Sequence, residues 1–190
     1  MSKLKIGIIV GSTRPGRVAE QVARWVLEQA RSRTEADFEI VDIAAFHLPL
    51  LDEPIPASMG RYSKDHTKRW AEKVASLDGY IFITPEYNHG LTGALKNAID
   101  FVWAEWNNKA AGIVSYGSAG GVRAAESLRL VLAEVKIADV RSQAFFYLST
   151  DFENYTTFKP DSSKVEQMGR VLNDLLPWAK ALKALRDAPA

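Results

Sequence analysis

The segment that most constrains the fold is a short apolar run near the amino terminus that ends abruptly in a polar loop. Its β-branched residues are Ile6, Ile8, Ile9 and Val10. A run of this kind, flanked by turn residues, predicts a strand buried on both faces, as in a parallel sheet. From Ala19 to Arg31, apolar residues recur at helical spacing without an intervening Pro or Gly, so a helix is predicted directly after the loop. Because free N–H groups and the helix dipole point at such a loop, Gly11 to Val18 is a favourable place for a phosphate.

The loop from Gly11 to Val18 is rich in groups that donate hydrogen bonds to phosphate oxygens. These donors are two hydroxyls and two guanidinium groups, on Ser12, Thr13, Arg14 and Arg17. The loop lacks the Gly-Lys-Ser/Thr end of a Walker A sequence, and Gly7, Gly11 and Gly16 fall at the wrong spacing for a dinucleotide fingerprint. The residues therefore favour a monophosphate site that suits a mononucleotide such as FMN. The alternative is an ordinary polar turn with surface arginines, because Ser, Thr and Gly are common turn residues.

Length and composition exclude several classes of protein. The 190 residues predict one domain, residues 1–190, with a well-buried core. With 24 basic and 23 acidic residues, the chain has no general electrostatic attraction to nucleic acid. It contains no cysteine, which excludes disulfides, thiolate metal sites and a Cys nucleophile. The first strand begins almost at once and no apolar run approaches the roughly 18 residues of a membrane span. We therefore expect a cytoplasmic protein without a signal peptide or a membrane anchor.

Strands and helices are predicted to alternate along the rest of the chain. The further strands span Phe38 to Ile43, at a sheet edge, Gly79 to Thr84, at its centre, Ala110 to Tyr116 and Asp139 to Tyr147. The further helices span Asp65 to Leu77, Thr92 to about Trp106, Val122 to about Val135 and Lys164 to Arg186, the last kinked or broken at Pro177. Pro and Gly residues between Ala44 and Arg61 predict a long surface loop. Such alternation folds as an open parallel sheet with helices on both faces.

Three polar loops follow the first, third and fourth predicted strands. The second of these loops is Pro85 to Gly90, and the third is Gly117 to Gly121. In an open parallel sheet, ligands bind outside the carboxyl ends of the strands, where the strand order reverses. Each loop alone is compatible with a simple turn. Because all three leave the same edge of the sheet, we expect them to form one binding site.

Four motifs, in this order and on these elements, resemble the NADPH-dependent FMN reductase family, which has a flavodoxin-like fold. They are GSTRPGR at Gly11 to Arg17, PEYNHG at Pro85 to Gly90, LKNAID at Leu95 to Asp100 and SYGSAGG at Ser115 to Gly121. The resemblance implies a three-layer, doubly wound α/β fold with a five-stranded parallel sheet in strand order 2-1-3-4-5. It also implies an NAD(P)H oxidoreductase that passes electrons through bound FMN to a quinone, flavin, azo dye or metal oxyanion.

The resemblance further implies roles for individual residues. Those expected to hold the FMN phosphate are Ser12, Thr13, Arg14 and Arg17. Those expected along the isoalloxazine ring and the ribityl chain, through backbone groups and side chains, are Pro85, Glu86, Tyr87 and Asn88. Those expected on the other flank of the ring are Ser115, Tyr116 and Gly117, with Gly120 and Gly121 allowing close approach. The flavin would carry the hydride chemistry, with NADPH or NADH as co-substrate, so we expect no catalytic side chain and no metal ion.

Two positions depart from the pattern common in the family. Val18 replaces a small hydroxyl residue or Ala and so removes one possible phosphate donor. His89 replaces an aromatic residue, which changes what would face the bound nicotinamide or the electron acceptor. His89 is therefore the candidate substrate-contacting residue. Its role is either steric or that of a proton donor to a reduced quinone, because histidine titrates near neutrality.

The predicted helix after Pro85 to Gly90 is unusually aromatic. Its aromatic residues are Phe101, Trp103 and Trp106. Large aromatic side chains are enriched at protein interfaces. Members of the family commonly form dimers, and some form tetramers, so the resemblance implies a homodimer or homotetramer. We expect the contact to include Trp106.

Two other functions compete with that of an enzyme. An electron-carrying flavodoxin would bind FMN without oxidising NADPH, but carriers tend to be strongly acidic and this chain is near neutral, with a formal net charge of +1. A sensor or interaction protein with a vestigial flavin fold would take up no FMN. Oxidation of NADPH by the purified protein separates the enzyme from the carrier.

Overall fold

The computed structural model describes residues 3–188 and has a five-stranded sheet between two layers of helices. The strands of this sheet are β1 (Leu4–Val10), β2 (Ala36–Asp42), β3 (Gly79–Pro85), β4 (Lys109–Gly117) and β5 (Ile137–Tyr147). The helices are α1 (Ala19–Ala30), α2 (Asp65–Ala75), α3 (Gly93–Asp100), α4 (Val122–Glu134) and α5 (Ser163–Asp187). A small antiparallel hairpin, β6 (Phe152–Glu153) and β7 (Thr157–Phe158), lies between β5 and α5. Within residues 3–188, no helix combines the length and the apolar character needed to cross a membrane.

The sheet has the strand order β2-β1-β3-β4-β5, and every neighbouring pair is parallel. The predicted order 2-1-3-4-5 is therefore confirmed, with β2 at an edge and β3 at the centre. Val10 at the end of β1 pairs with Ile83, and Thr84 pairs with Ser115 on β4. This register places the carboxyl ends of β1, β3 and β4 side by side, next to the point where the strand order reverses.

Each face of the sheet carries its own apolar core. Helices α1 and α5 cover one face, whose core includes Ile8, Val26 and Leu172. Helices α2, α3 and α4 cover the other face. All residues of β3 and β4 are buried, whereas only Ala36 and Val41 of β2 are buried. This difference explains why the central strands are continuous apolar runs and the edge strand is more polar.

The aromatic residues after α3 lie in the second of these cores. Helix α3 ends at Asp100, and the chain reaches Trp106 through a 3-10 turn at Ala104–Trp106, so the helix predicted to extend to Trp106 is too long. Trp106 is fully buried, with its ring centroid 5.8 Å from that of Trp70 and 5.0 Å from that of Tyr80. The prediction that Trp106 contributes to a subunit contact is therefore wrong. Its large apolar ring is stabilised by packing in the core and leaves no surface for a partner subunit to contact.

Two further features differ from the sequence-based expectation or add to it. Helix α5 continues through Pro177, so no break occurs there. The buried residues Leu175, Leu176 and Ala179 anchor both sides of the proline to the core, and this packing compensates for the missing backbone hydrogen bond. The long loop between β2 and α2 also contains two short 3-10 helices, Ile43–Phe46 and Ala57–Met59.

Candidate functional site

The three polar loops lie side by side at the carboxyl edge of the sheet. The backbone N–H of Gly11 donates to the carbonyl oxygen of Ile83 at 2.9 Å, so the first loop leaves the sheet beside the end of β3. The backbone N–H of Glu86 donates to the carbonyl oxygen of Tyr116 at 3.0 Å and ties the second loop to the end of β4. The arrangement follows from the strand order, as the sequence predicted.

A side-chain contact joins the first loop to the second. Ser12 is fully buried, and its hydroxyl lies 2.9 Å from the hydroxyl of Tyr87, within hydrogen-bond distance. The guanidinium carbon of Arg14 lies 5.6 Å from the centre of the Tyr87 ring, which is a cation–π geometry. Residues that are far apart in the sequence thus surround one place at the sheet edge.

The first loop leaves several backbone N–H groups without protein partners. The N–H of Arg17 donates to the carbonyl oxygen of Arg14 at 3.1 Å and closes a turn around Gly16, whose φ of 71° favours glycine. In the described part of the chain, the N–H groups of Thr13, Gly16 and Val18 donate to no protein acceptor, and the Val18 side chain does not cap α1. Free donors at a helix amino terminus form a binding site for an anion.

Arg17 is held by two carboxylates. Its Nη2 donates to Oε1 of Glu20 at 2.7 Å and to Oδ2 of Asp42 at 2.5 Å. Its Nε is buried and has no hydrogen-bond partner among residues 3–188. A buried N–H without an acceptor is costly, so this group calls for a ligand oxygen.

The second loop ends in a tight two-residue turn. The backbones of Tyr87 and Gly90 exchange two hydrogen bonds, of 3.1 and 3.2 Å. Asn88 and His89 between them have φ values of 48° and 72°, as in a type I′ turn. Both residues are exposed, so the turn presents His89 to solvent at the rim of the three loops.

The Glu86 carboxylate accepts hydrogen bonds from the amino end of α4. Its Oε1 accepts from Nε of Arg123 at 2.6 Å, and its Oε2 accepts from the Arg123 backbone N–H at 3.2 Å. Burial alone would raise the pKa of Glu86, but the hydrogen bonds and the charge of Arg123 outweigh burial and lower it. Because both side-chain oxygens are engaged and its N–H bonds to Tyr116, Glu86 has only its backbone carbonyl left for a ligand, whereas the sequence-based expectation also included its side chain.

The third loop is closed by bonds within the protein. The Ser115 hydroxyl donates to the carbonyl oxygen of Gly120 at 2.7 Å and accepts from Gln143 at 3.0 Å, so it has no donor left for a ligand. A Cβ atom on Gly121 would lie 2.7 Å from both the backbone nitrogen and the carbonyl oxygen of Tyr116. The backbone of Tyr116, together with a φ of 69°, therefore accounts for the glycine at 121 without a ligand.

Tyr116 is buried at the end of β4, next to the first two loops. Burial raises the pKa of its hydroxyl above the usual range, and the positive charges of Arg14 and Arg17 partly offset this effect. The Tyr116 hydroxyl is therefore protonated near neutral pH, and its electrostatic environment includes the arginines of the first loop.

The predicted site residues thus fall into two groups, one buried at the bottom of the site and one exposed at its rim. The buried residues are Ser12, Pro85, Ser115, Tyr116, Gly117, Gly120 and Gly121. The exposed residues are Thr13, Arg14, Asn88 and His89, while Arg17, Glu86 and Tyr87 are half-buried. The donor set of the first loop and the unpartnered Nε of Arg17 fit the phosphate of FMN.

Sequence reasoning missed three charged residues that form ion pairs with the predicted site residues. Asp42, Glu20 and Arg123 all lie at the site and fix its positively charged groups or its loops. Asp42 is the last residue of β2, and the rule that the carboxyl ends of parallel strands share one edge places it at the same edge as the first loop, but the rule does not predict its contact with Arg17. Arg123 carried no such signal, because it becomes part of the site only through the side chain of Glu86.

The comparisons with known proteins agree with this geometry. A family model described as NADPH-dependent FMN reductase matches residues 4–151. An NAD(P)H-dependent FMN reductase of Nectria is 43% identical over 157 residues, which cover 77% of this chain and 78% of the relative. A 2-hydroxy-1,4-benzoquinone reductase of Burkholderia is 29% identical over 178 residues, which cover 90% of this chain and 87% of the relative.

A solved structure shares the fold. The flavoenzyme NAD(P)H:(acceptor) oxidoreductase FerB of Paracoccus denitrificans superposes with a TM-score of 0.71. The superposition covers 94% of this chain and 98% of the other, at 19% sequence identity. At that identity the likeness concerns the fold and its flavodoxin-like strand order.

Proposed function

This chain belongs to the NADPH-dependent FMN reductase family and is an FMN-dependent NAD(P)H oxidoreductase, and from that premise we propose which of its residues bind the cofactor. The observation that carries the proposal is the contact between the Ser12 and Tyr87 hydroxyls, at 2.9 Å, which joins the loops after β1 and β3. We assign the cofactor to a single domain formed by residues 1–190, with the binding site at the carboxyl edge of its sheet.

The first loop binds the FMN phosphate in this proposal. Thr13 and Arg14 are exposed at its tip, and Arg17 presents a buried Nε that lacks a protein acceptor within residues 3–188. The unpartnered N–H groups at the start of α1 add directed donors to the two guanidinium groups. The Ser12 hydroxyl, already 2.9 Å from Tyr87, lies at the junction between the phosphate loop and the ring loop.

The second and third loops hold the isoalloxazine ring through their backbones. The side chains of Glu86 and Ser115 are used within the protein, which supports backbone contacts from Pro85 to Asn88 and from Ser115 to Gly117. When bound, FMN supplies hydride and electron transfer between NAD(P)H and a small acceptor. The protein's own task is to orient the ring and to leave one face open.

His89 stands at the open rim of this site and is the residue we assign to contact with the acceptor or the nicotinamide. It is exposed, and the tight turn that carries it is fixed by two backbone hydrogen bonds. A side chain held in this way restricts the size of the molecule that reaches the ring. Quinones are the acceptor class we propose. One relative, aligned over 90% of this chain, is named a 2-hydroxy-1,4-benzoquinone reductase, and another is named a quinone reductase.

We further propose that the protein forms a homodimer through an exposed apolar surface beside α3. This surface consists of Leu50, Leu51, Ile55, Met59 and Leu130. It adjoins a hollow of about 310 Å³ between α3 and α4 that Ile99, Val102 and Val131 help to line. Hydrogen bonds from Asn97 to Pro49 and from Leu51 to Asn97, of 2.7 and 2.9 Å, hold the leucines in place. A fixed and exposed apolar surface of this kind is typical of an interface.

Spectroscopy and turnover test the proposed function. The purified protein is expected to show the visible spectrum of bound FMN and to oxidise NADPH or NADH when a quinone is supplied. An electron carrier would keep the flavin spectrum but leave the nucleotide intact. A protein that is colourless and takes up no FMN would contradict the proposed site altogether.

A further inference from the structure

Arg17 is oriented from one side by two carboxylates that belong to different elements. Glu20 lies in the first turn of α1, and its side chain is 48% exposed. Asp42 is the last residue of β2, and its side chain is 30% exposed. Both accept from the same nitrogen, Nη2, at 2.7 and 2.5 Å. The Nε and Nη1 atoms of Arg17 donate to no acceptor in residues 3–188 and are left for another partner.

Asp42 is the more firmly placed of the two carboxylates. It pairs in register with Val10, the residue of β1 immediately before the first loop. Its Oδ1 accepts from the backbone N–H of Ala44 at 3.0 Å and caps the following 3-10 helix, while its Oδ2 binds Arg17. One oxygen therefore fixes the carboxylate to the backbone and the other fixes the guanidinium group to the carboxylate.

The charges around the first loop cancel. Arg14 and Arg17 carry two positive charges, and Glu20 and Asp42 carry two negative ones, so the four side chains have no net charge. Long-range attraction of an anionic phosphate is therefore small at this loop. Binding must depend on donors that are held in the right direction.

We propose that Asp42 is a positioning residue for the FMN phosphate, which it serves by holding Arg17 through Nη2 and so leaving Nε and Nη1 for the phosphate oxygens. This inference rests on the proposed phosphate site. When the charge of Asp42 is removed, the positioning role and simple charge repulsion predict changes of opposite sign in the affinity for FMN. A carboxylate next to a dianionic phosphate weakens binding if only charge matters, whereas removal of a positioning carboxylate weakens binding even though a negative charge is lost.

The test compares the affinities of FMN and riboflavin, which differ by the phosphate. The variant is Asp42→Asn, whose amide oxygen still accepts from Ala44 and so keeps the 3-10 cap. Flavin-free protein is titrated with each ligand, and quenching of flavin fluorescence gives Kd. We expect Asp42→Asn to bind FMN about tenfold more weakly, the effect of one misdirected charge-assisted hydrogen bond, and to bind riboflavin as the unaltered protein does.

Two further variants make the result specific. Asp37→Asn removes the same charge from the same strand, about 17 Å away at the usual rise per residue, where Asp37 is exposed and contacts Lys3 at 3.4 Å. It is expected to leave both affinities unchanged. In the double variant Asp42→Asn/Arg17→Met, FMN should bind no more weakly than in Arg17→Met, because Asp42 acts through Arg17.

The outcomes separate the inference from its premise. Equal or tighter FMN binding in Asp42→Asn would overturn the positioning role, as would an equal loss for FMN and riboflavin, which would indicate general damage to the fold. Unaltered protein that binds riboflavin as tightly as FMN would overturn the phosphate site itself. Preference for FMN in the unaltered protein, lost in Asp42→Asn and kept in Asp37→Asn, supports both.

Discussion

At the scale of single residues, the polar side chains at the site have two different roles. Arg14, Arg17 and the free N–H groups of the first loop are available to a ligand. Glu86 instead holds the second loop to α4, and Ser115 closes the third loop on itself. Both kinds of residue appear in the same motifs, so a motif match alone does not separate residues that bind from residues that position.

Glu86→Gln is expected to lower the free energy of unfolding by about 1–2 kcal/mol, because the ion pair with Arg123 becomes a hydrogen bond to a neutral amide oxygen. The pKa of Glu86 is lowered in the folded state from its usual value of 4.5. The stabilisation is therefore present above pH 4.5 and is lost as the pH falls through the folded pKa. Urea denaturation at neutral pH and near pH 4 measures both effects.

The matched control for Glu86→Gln is Glu126→Gln on α4, the helix that carries Arg123. Glu126 is 75% exposed and lies 3.5 Å from Arg129, so its ion pair is expected to contribute little. Equal effects of the two substitutions would show that the bond between Glu86 and Arg123 does not hold the second loop to α4.

At the scale of elements, the chain ties the amino end of α2 to the long loop before it. The Glu53 carboxylate accepts from the backbone N–H groups of Ser63 and Lys64, at 2.9 to 3.1 Å, and these bonds lower its pKa to about 2 against the opposing effect of burial. Asn97 on α3 holds the same loop at Pro49 and Leu51. The exposed leucines are thus part of a fixed surface.

A buried lysine, Lys109, beside the carboxyl end of α2 makes the stability of the protein depend on pH. Nζ of Lys109, buried at the start of β4, donates to the carbonyl oxygens of Val74 and Ala75 at 2.8 and 3.3 Å. Burial, helped by the charge of Arg186, lowers the pKa of Lys109 from 10.5 to about 7. Between pH 7 and 10.5 the unfolded chain binds a proton that the folded chain does not, so stability rises with pH by up to about 1.4 kcal/mol per unit.

Lys109→Met should remove this part of the rise, whatever its effect on absolute stability. Chemical denaturation at pH 7 and pH 9 gives the two slopes. Lys68→Met, on the exposed side of α2, is the control and should leave the slope unchanged, since the Lys68 side chain is 52% exposed. A slope in Lys109→Met equal to that of the control would contradict the account of the buried amine.

The elements that were predictable from sequence were those whose pattern is local. The apolar runs of β1, β3 and β4 and the breakers around them defined the strands, and the parallel order then placed the loops together. Trp106 was not predictable, because the sequence does not distinguish a buried aromatic residue from one at an interface. The role of Asp42 depends on a contact between residues 25 positions apart, which no local pattern encodes.

At the scale of the whole molecule, the two faces of the sheet give a test of self-association. Leu130→Glu places a charge on the proposed dimer surface, where Leu130 is 78% exposed. Leu185→Glu makes the same change on α5, on the opposite face, where Leu185 is 60% exposed. Sedimentation is expected to show a dimer for the unaltered protein and for Leu185→Glu, and a monomer for Leu130→Glu. Dimers in all three samples would contradict the assignment of this surface.

The central claim is that the three loops at the carboxyl edge of the sheet bind one FMN, and a crystal structure of the complex tests it most directly. The account predicts the phosphate within hydrogen-bond distance of Arg17 and Ser12, and the ring beside the backbones of Tyr87 and Gly117. FMN bound elsewhere, such as in the hollow lined by Lys3 and Leu176 at the opposite edge, or with its phosphate remote from Arg17, would contradict it.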